Sequence, residues 1–199
     1  CRFGWANPLS GSGWRVLLFF DGVGWYNRRL IMPALEIRFE SIGGLGAQLA
    51  AQLLAETLVL RQGFNASQFS SYGSEKKGTP IRSFIRVTDA DKPIRVTSPI
   101  TEPNLLAVFH KALFARPSTL AGLRRDGVLI VNAPADSPLK LPKGRVFLVD
   151  AMAIAVEEKT RINTAILGAV AKACPLIDAK ALAAMLEEHF SHRSPKLAE

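Results

Sequence analysis

Gly43, Gly44 and Gly46 stand in "SIGGLG" (residues 41–46), between a strand-like and a helix-like stretch. Glycines placed there let backbone N–H groups crowd at a helix N-terminus, where the helix dipole favours an anion such as a phosphate. Further along, "SYGSEKKGT" (residues 71–79) offers Ser71, Tyr72 and Gly73 as a turn-like element. Glu75, Lys76 and Lys77 come next as a mixed-charge loop able to lock across an interface. Paired lysines can meet phosphates as compact point charges, or simply sit in solvent. Glu102, before Pro103, and Asn163, before a late helical stretch, are further polar candidates; Asn163 could equally be an ordinary N-cap. His110, His189 and His192 are scattered singly, without the spacing of metal ligands or of a triad. None of these residues is expected to be catalytic or to ligate a metal.

The glycine turn departs from both familiar nucleotide signatures. A dinucleotide turn needs G-x-G-x-x-G and an acidic residue about twenty positions on, for the ribose. Here the spacing is S-I-G-G-L-G, and "LRQGFNASQF" (residues 60–69) contains no Asp or Glu. The lysine-serine pair of an ATP-binding P-loop is also missing. Close packing of helix on strand, and contact with a neighbouring subunit, remain as rival roles for the turn.

The elements that would carry these residues emerge from periodicity. Leu35, Ile37 and Phe39 alternate with Glu36, Arg38 and Glu40, the period of a strand with one wetter face. After the turn a helix is expected from about residue 47 to 60. Gln48, Gln52 and Glu56 form its one polar stripe, so it should be covered on most sides, in part by a partner chain. "IRSFIRV" (81–87) and "IRVTSPI" (94–100) flank "TDADKP" and read as a hairpin. Short apolar runs at 105–109, 127–132 and 146–150 read as parallel strands, with a helical stretch ending near "LAGLRRDG" and a proline-rich loop at 133–144. "NTAILGAVAKAC" is helical, and Asp178 caps a last helix with Leu182, Leu186 and Phe190 on one face. The expectation is an α/β fold: a three-layer, Rossmann-like domain over residues 34–190, with a mostly parallel sheet and an antiparallel hairpin. Residues 191–199 form a polar tail.

Residues 1–33 look foreign to this domain. They hold all three Trp and five of the fifteen Gly, and the chain begins at Cys1, with Met32 just before the first clear strand. The segment reads as an extension or misassigned start, or else as an apolar arm for a partner. Its five-residue apolar core (16–20) is short for a signal peptide, and no apolar run approaches the ~20 residues of a membrane span. Of the formal charge of +8, residues 1–33 contribute +3 and the rest +5. That surplus is dispersed rather than interleaved with aromatics, which argues against nucleic acid and suits an anionic cofactor or acidic partner. With mean hydropathy +0.15 the chain is well packed. Its two cysteines, Cys1 and Cys174, exclude a disulfide framework, a paired-cysteine zinc site and a four-cysteine iron–sulfur cluster, and point to the cytosol.

Five blocks then occur in one order: "SIGGLG" at 41–46, "SYGSEKKGT" at 71–79, "SPITEP" at 98–103, "VDAMAIA" at 149–155 and "NTAILGA" at 163–169. In this order they resemble the gamma subunit, or gamma-type domain, of the 2-oxoacid:ferredoxin oxidoreductases, of which pyruvate synthase is the familiar member. The resemblance spans about residues 35–190. Ser41 and Leu45 depart from the family's G-x-G-G-Q-G turn, which weakens any polar contact there. The resemblance implies a complex that decarboxylates a 2-oxoacid on thiamine diphosphate with Mg, passes electrons singly through iron–sulfur clusters to ferredoxin, and delivers the acyl group to coenzyme A. It implies alpha-, beta- and cluster-bearing delta-type partners, with the thiamine site between alpha and beta. The chain would then bind no cofactor alone, would be catalytically silent alone, and would at most lie near coenzyme A. Two other readings stand beside it: a stand-alone NAD(P)- or nucleotide-binding module, and the equivalent subunit of an indolepyruvate or other aromatic 2-oxoacid enzyme.

Overall fold

The apolar runs become the centre of one mixed sheet. The structure, a computed structural model, describes residues 17–19, 34–72 and 79–193. Its strands are β1 (Leu17–Phe19), β2 (Leu35–Ile42), β3 (Asn65–Tyr72), β4 (Pro80–Thr88), β5 (Leu105–Val108), β6 (Val128–Asn132) and β7 (Arg145–Val149). They lie in the order β1-β7-β6-β5-β2-β4-β3. β2, β5, β6 and β7 run parallel, and β1, β4 and β3 are antiparallel to their neighbours. The α/β expectation, a parallel core with an antiparallel hairpin, is met.

α-Helices cover one face: α1 (Ala47–Glu56), α2 (Ala151–Glu157), α3 (Ile162–Ala173) and α4 (Ala179–Arg193). Alternate residues of the strands, Ile37, Phe39, Leu105, Ala107, Val128 and Ile130 among them, point to that side and pack with α1, α3 and α4. The Phe39 and Phe109 rings meet there at 5.4 Å. The intervening residues Leu106, Val108, Leu129, Val131, Val146 and Leu148 face the other side, under Leu113, Leu120, Leu123, Leu139 and Leu141. Both faces of the sheet are therefore buried, as continuous apolar strands require. Asp150 caps α2 by accepting from the Ala153 N–H at 2.9 Å. Asp178 caps α4 as expected, accepting from the Lys180 N–H at 2.8 Å.

Four local expectations need correction. The hairpin partner of β4 is β3, in register from Asn65 opposite Thr88 to Tyr72 opposite Ile81, and not residues 94–100. β4 has β2 on its other side, so both of its edges are already used. Segment 94–100, which follows Pro93 and contains Pro99, runs as irregular chain. Consequently Ser71 and Tyr72 end a strand and do not form a turn. The helix anticipated before residue 127 is replaced by two short 3₁₀ turns, Lys111–Ala115 and Pro117–Thr119, because Pro117 interrupts it.

The third correction concerns the wet face of β2. Arg38 and Glu40 are buried, since Arg38 donates to the carbonyls of Ile100 (3.3 Å), Thr119 (3.1 Å) and Ala121 (2.8 Å) and so ties irregular chain over that face. The fourth concerns α1. Its apolar sides are covered by β3, β4, α3 and α4 of its own chain, so its composition is no sign of a missing partner. The helix ends in one wide π-helical turn, Thr57–Arg61, which leaves Val59 and Leu60 exposed. The Gly63 and Phe64 N–H groups then bond back to the carbonyls of Val59 (3.3 Å) and Leu58 (3.0 Å).

Candidate functional site

Parallel strands deliver their outgoing loops to one edge of a sheet, and α/β proteins bind ligands at that carboxyl edge. Here the glycine turn leaves β2, Asn132 closes β6 and Asp150 leaves β7. β3 runs in the same sense as β2, because each is antiparallel to β4. Tyr72 therefore reaches the same edge, on the side of the sheet that carries α1.

Two of the sequence blocks meet directly. The Gly43 N–H donates to the Thr79 carbonyl at 3.3 Å, joining the glycine turn to the end of the 71–79 block. The Tyr72 hydroxyl donates to the Gln48 side-chain carbonyl, on the first turn of α1. Gly44 (φ 96°) and Gly46 (φ 75°) adopt the left-handed region, which is why glycine stands at both. Gly46 is the N-cap of α1, with no side-chain cap and no acidic residue in the first turn. The first amides of this helix thus lack a competing internal anion.

The "NTAILGA" block joins from the third side. Asn163 is 3% exposed, within the start of α3, and Arg161 occupies the N-cap position instead. The Asn163 carboxamide donates to the Gly46 carbonyl at 3.4 Å and accepts from the Thr164 N–H at 3.1 Å. At the end of β6, Asn132 donates to the Phe109 carbonyl at 2.9 Å and accepts from the Ala151 N–H at 3.0 Å, tying the ends of β5, β6 and β7 together.

Of the residues singled out by type, Gly43, Gly44, Gly46, Ser71, Tyr72 and Asn163 thus gather at one edge. Glu102 does not: it precedes β5, at the opposite end of the sheet, and is exposed. Gly73, Glu75, Lys76 and Lys77 lie outside the described residues. His110 has a structural role, its ring nitrogen accepting from the Ala112 N–H at 3.2 Å. Among the described residues, no group of three or more His, Cys, Asp or Glu could hold a metal ion. No helix among them is long and apolar enough to cross a membrane.

Three further residues escaped the motif reading. Gln48 could have been found, as the first member of the polar stripe on α1. Arg38 and Glu40 gave no signal beyond alternation. The Glu40 carboxylate lies 3.2 Å from Arg38 Nε and 2.9 Å from Arg82 Nε. Burial pushes the Glu40 carboxyl above its ordinary value, against the pull of Arg82 and then Arg38. Burial likewise lowers the Arg38 guanidinium, with Glu40 opposing. This cluster is a structural fastening of β2 to β4 and to residues 100–121.

Residues 36–199 match the family described as Pyruvate ferredoxin/flavodoxin oxidoreductase. The chain is 38% identical over 164 residues to the Pyruvate/ketoisovalerate oxidoreductases common subunit gamma of Thermococcus kodakarensis, covering 79% of this chain and 87% of that one. The crystal structure of the pyruvate oxidoreductase subunit PORC of Thermotoga maritima superposes with a TM-score of 0.66 at 30% identity, over 79% of this chain and 85% of that one. A fold likeness also extends to the 2-oxoglutarate:ferredoxin oxidoreductase of Magnetococcus marinus, solved with 2-oxoglutarate, coenzyme A and succinyl-CoA bound. There the TM-score is 0.67 at 17% identity, over 83% of this chain and 28% of that much longer one.

Proposed function

The chain belongs to the pyruvate ferredoxin/flavodoxin oxidoreductase family, and from that premise we propose that it is the gamma subunit of a multisubunit 2-oxoacid:ferredoxin oxidoreductase. The complex would decarboxylate a 2-oxoacid such as pyruvate, release CO₂, pass the electrons to ferredoxin and leave the acyl group on coenzyme A. The observation that carries this reading is the 164-residue match that covers 87% of the Thermococcus kodakarensis gamma subunit. Alpha-, beta- and delta-type subunits complete the complex, which works in the cytoplasm.

The residues present argue for a supporting part. An iron–sulfur cluster needs several thiolates. Cys174 is the one free cysteine among the described residues, and burial raises its thiol above the ordinary value, so it does not fit. Thiamine diphosphate and its Mg are assigned to partner subunits. Coenzyme A fits this chain better. Its phosphates suit the uncapped first turn of α1, with the Tyr72 hydroxyl beside it and Lys76 and Lys77 a few positions on in sequence. When bound, coenzyme A supplies the thiol that receives the acyl group. This chain's own contribution is to hold its anionic end.

Reconstitution tests the proposal. The partner subunits, assayed for coenzyme A-dependent reduction of ferredoxin with pyruvate, should regain activity on adding this chain, which should be inactive alone. A panel of aliphatic and aromatic 2-oxoacids would then name the acid. Full activity without the chain, or micromolar binding of NAD, NADP or ATP to the chain alone by calorimetry, would overturn the reading.

A further inference from the structure

We propose that Asn163 is a positioning residue: buried beneath the glycine turn, it fixes Gly46, and through Gly46 the first turn of α1, in the conformation that receives the coenzyme A phosphates. The inference rests on the placement of coenzyme A proposed above and adds how the receiving turn is held.

The turn has little of its own to hold it. Gly44 and Gly46 are the residues with the widest backbone freedom, and both sit at positive φ. Its backbone hydrogen bonds are long, Gly43 N–H to Thr79 at 3.3 Å and Leu45 N–H to Ile42 at 3.5 Å. Leu45 is apolar and Gly46 carries no side chain, so no side chain caps α1. A floppy anion site loses affinity, because ordering it must come out of the binding free energy.

Asn163 supplies the missing constraint from another helix. Its amide nitrogen lies 2.8 Å, and its Cγ 3.0 Å, from where a Cβ on Gly46 would stand, so the carboxamide fills that place. The carbonyl it bonds, that of Gly46, also accepts the Ala50 N–H at 2.9 Å, the opening hydrogen bond of α1. Asn163 thereby acts on the one peptide group that sets where the helix begins. α3 itself packs against α1, which gives the side chain a fixed base. On the opposite flank Tyr72 grips Gln48 of the same helical turn. Being buried, Asn163 acts on the ligand only through the turn.

The assembled complex provides the test, using steady-state kinetics with coenzyme A and the 2-oxoacid varied separately. Asn163→Ala removes the donor, and Asn163→Leu keeps the volume without it. Both should raise the KM for coenzyme A by about threefold to tenfold, the worth of one hydrogen bond. The KM for the 2-oxoacid and kcat should stay within twofold of wild type. Amide hydrogen exchange at residues 43–49 should quicken in both variants, while β5 and β6 stay protected. Gln48→Glu, which keeps the acceptor for Tyr72 but adds a negative charge at the helix N-terminus, reports on coenzyme A placement independently. If Gln48→Glu raises the coenzyme A KM and the Asn163 variants do not, the positioning role is overturned and the placement stands. If neither changes it, the placement itself is wrong. A proportional loss across all constants in the Asn163 variants would mean general loosening, and would also overturn the inference.

Discussion

Arg38 and Glu40, two positions apart on β2, point the same way and meet at 3.2 Å in the interior. Strand alternation places them on one face, and the alternation alone reads as a face turned to water. Irregular chain covers that face instead, because the Arg38 guanidinium offers its planar set of donors to carbonyls that have no ladder partner. A buried charge of this kind is tolerated where it is both paired and hydrogen-bonded.

Removing Arg38 should therefore be severe. Arg38→Ala leaves the buried Glu40 carboxylate with Arg82 as its remaining partner and frees the carbonyls of residues 100, 119 and 121. An unfolding free energy lower by about 3–5 kcal/mol is expected from urea titration of the purified chain. A loss under about 1 kcal/mol would mean that water replaces the guanidinium without penalty.

Glu40 gives a pH test whose sign is fixed. Its folded value is raised, by burial above all, so the fold holds the proton more tightly than the unfolded chain does. The stability this contributes is complete below the ordinary value of 4.5 and is lost as pH rises through the raised value. Glu40→Gln cannot titrate. The stability difference, wild type minus Glu40→Gln, should accordingly shrink as pH rises above 4.5. A difference that grows over this range would show that the arginines outweigh burial.

Two glycines should respond oppositely to alanine. At Gly46 a methyl group meets positive φ and the Asn163 amide, so Gly46→Ala should cost about 1–2 kcal/mol or more. At Gly168, exposed on α3, nothing lies within 4 Å of the added Cβ and the backbone is helical. Gly168→Ala should stabilise by about 0.5–1 kcal/mol. Thermal unfolding of both variants beside wild type is the measurement, and equal shifts would contradict the geometry.

Cys174 should be a slow thiol. Burial raises its value above 9.0, so the neutral form dominates at physiological pH; the stability this contributes is complete below 9.0 and is lost as pH rises through the raised value. Alkylation at pH 8, tracked on the Cys174 peptide by mass spectrometry, should run at least tenfold slower in the native chain than in urea. Equal rates would place the thiol in solvent.

Much of the scaffold was legible because burial and periodicity agree. The apolar runs of β5, β6 and β7, the alternation of β2 and the Asp178 cap are local signals, and each appears where expected. The hairpin was not legible, since Asn65–Tyr72 is a polar edge strand whose Ser, Asn and Gln look like loop residues. It forms because Phe69 stacks on Phe84 and Ser70 bonds Ser83 across the ladder. At the site, the glycine turn was visible as backbone chemistry. That Asn163 lies beneath it was not, because the pair is 117 residues apart and only the packing of α3 on α1 brings them together.

The wide turn at Thr57–Arg61 has a bearing on how length is counted along this chain. Its hydrogen-bonded ring takes in about one residue more than a ring of the helix before it, and the residues just beyond it allow no slack: Gly63 and Phe64 are both bonded backwards, and Gln62 is clipped to Leu176 at 2.8 Å. Deleting a single residue there would tidy the helix yet bring Asn65 to the sheet one pleat out of step, exchanging the sides of Phe69 and Tyr72. The irregularity works as a spacer, and the strand that presents Tyr72 keeps its phase because of it.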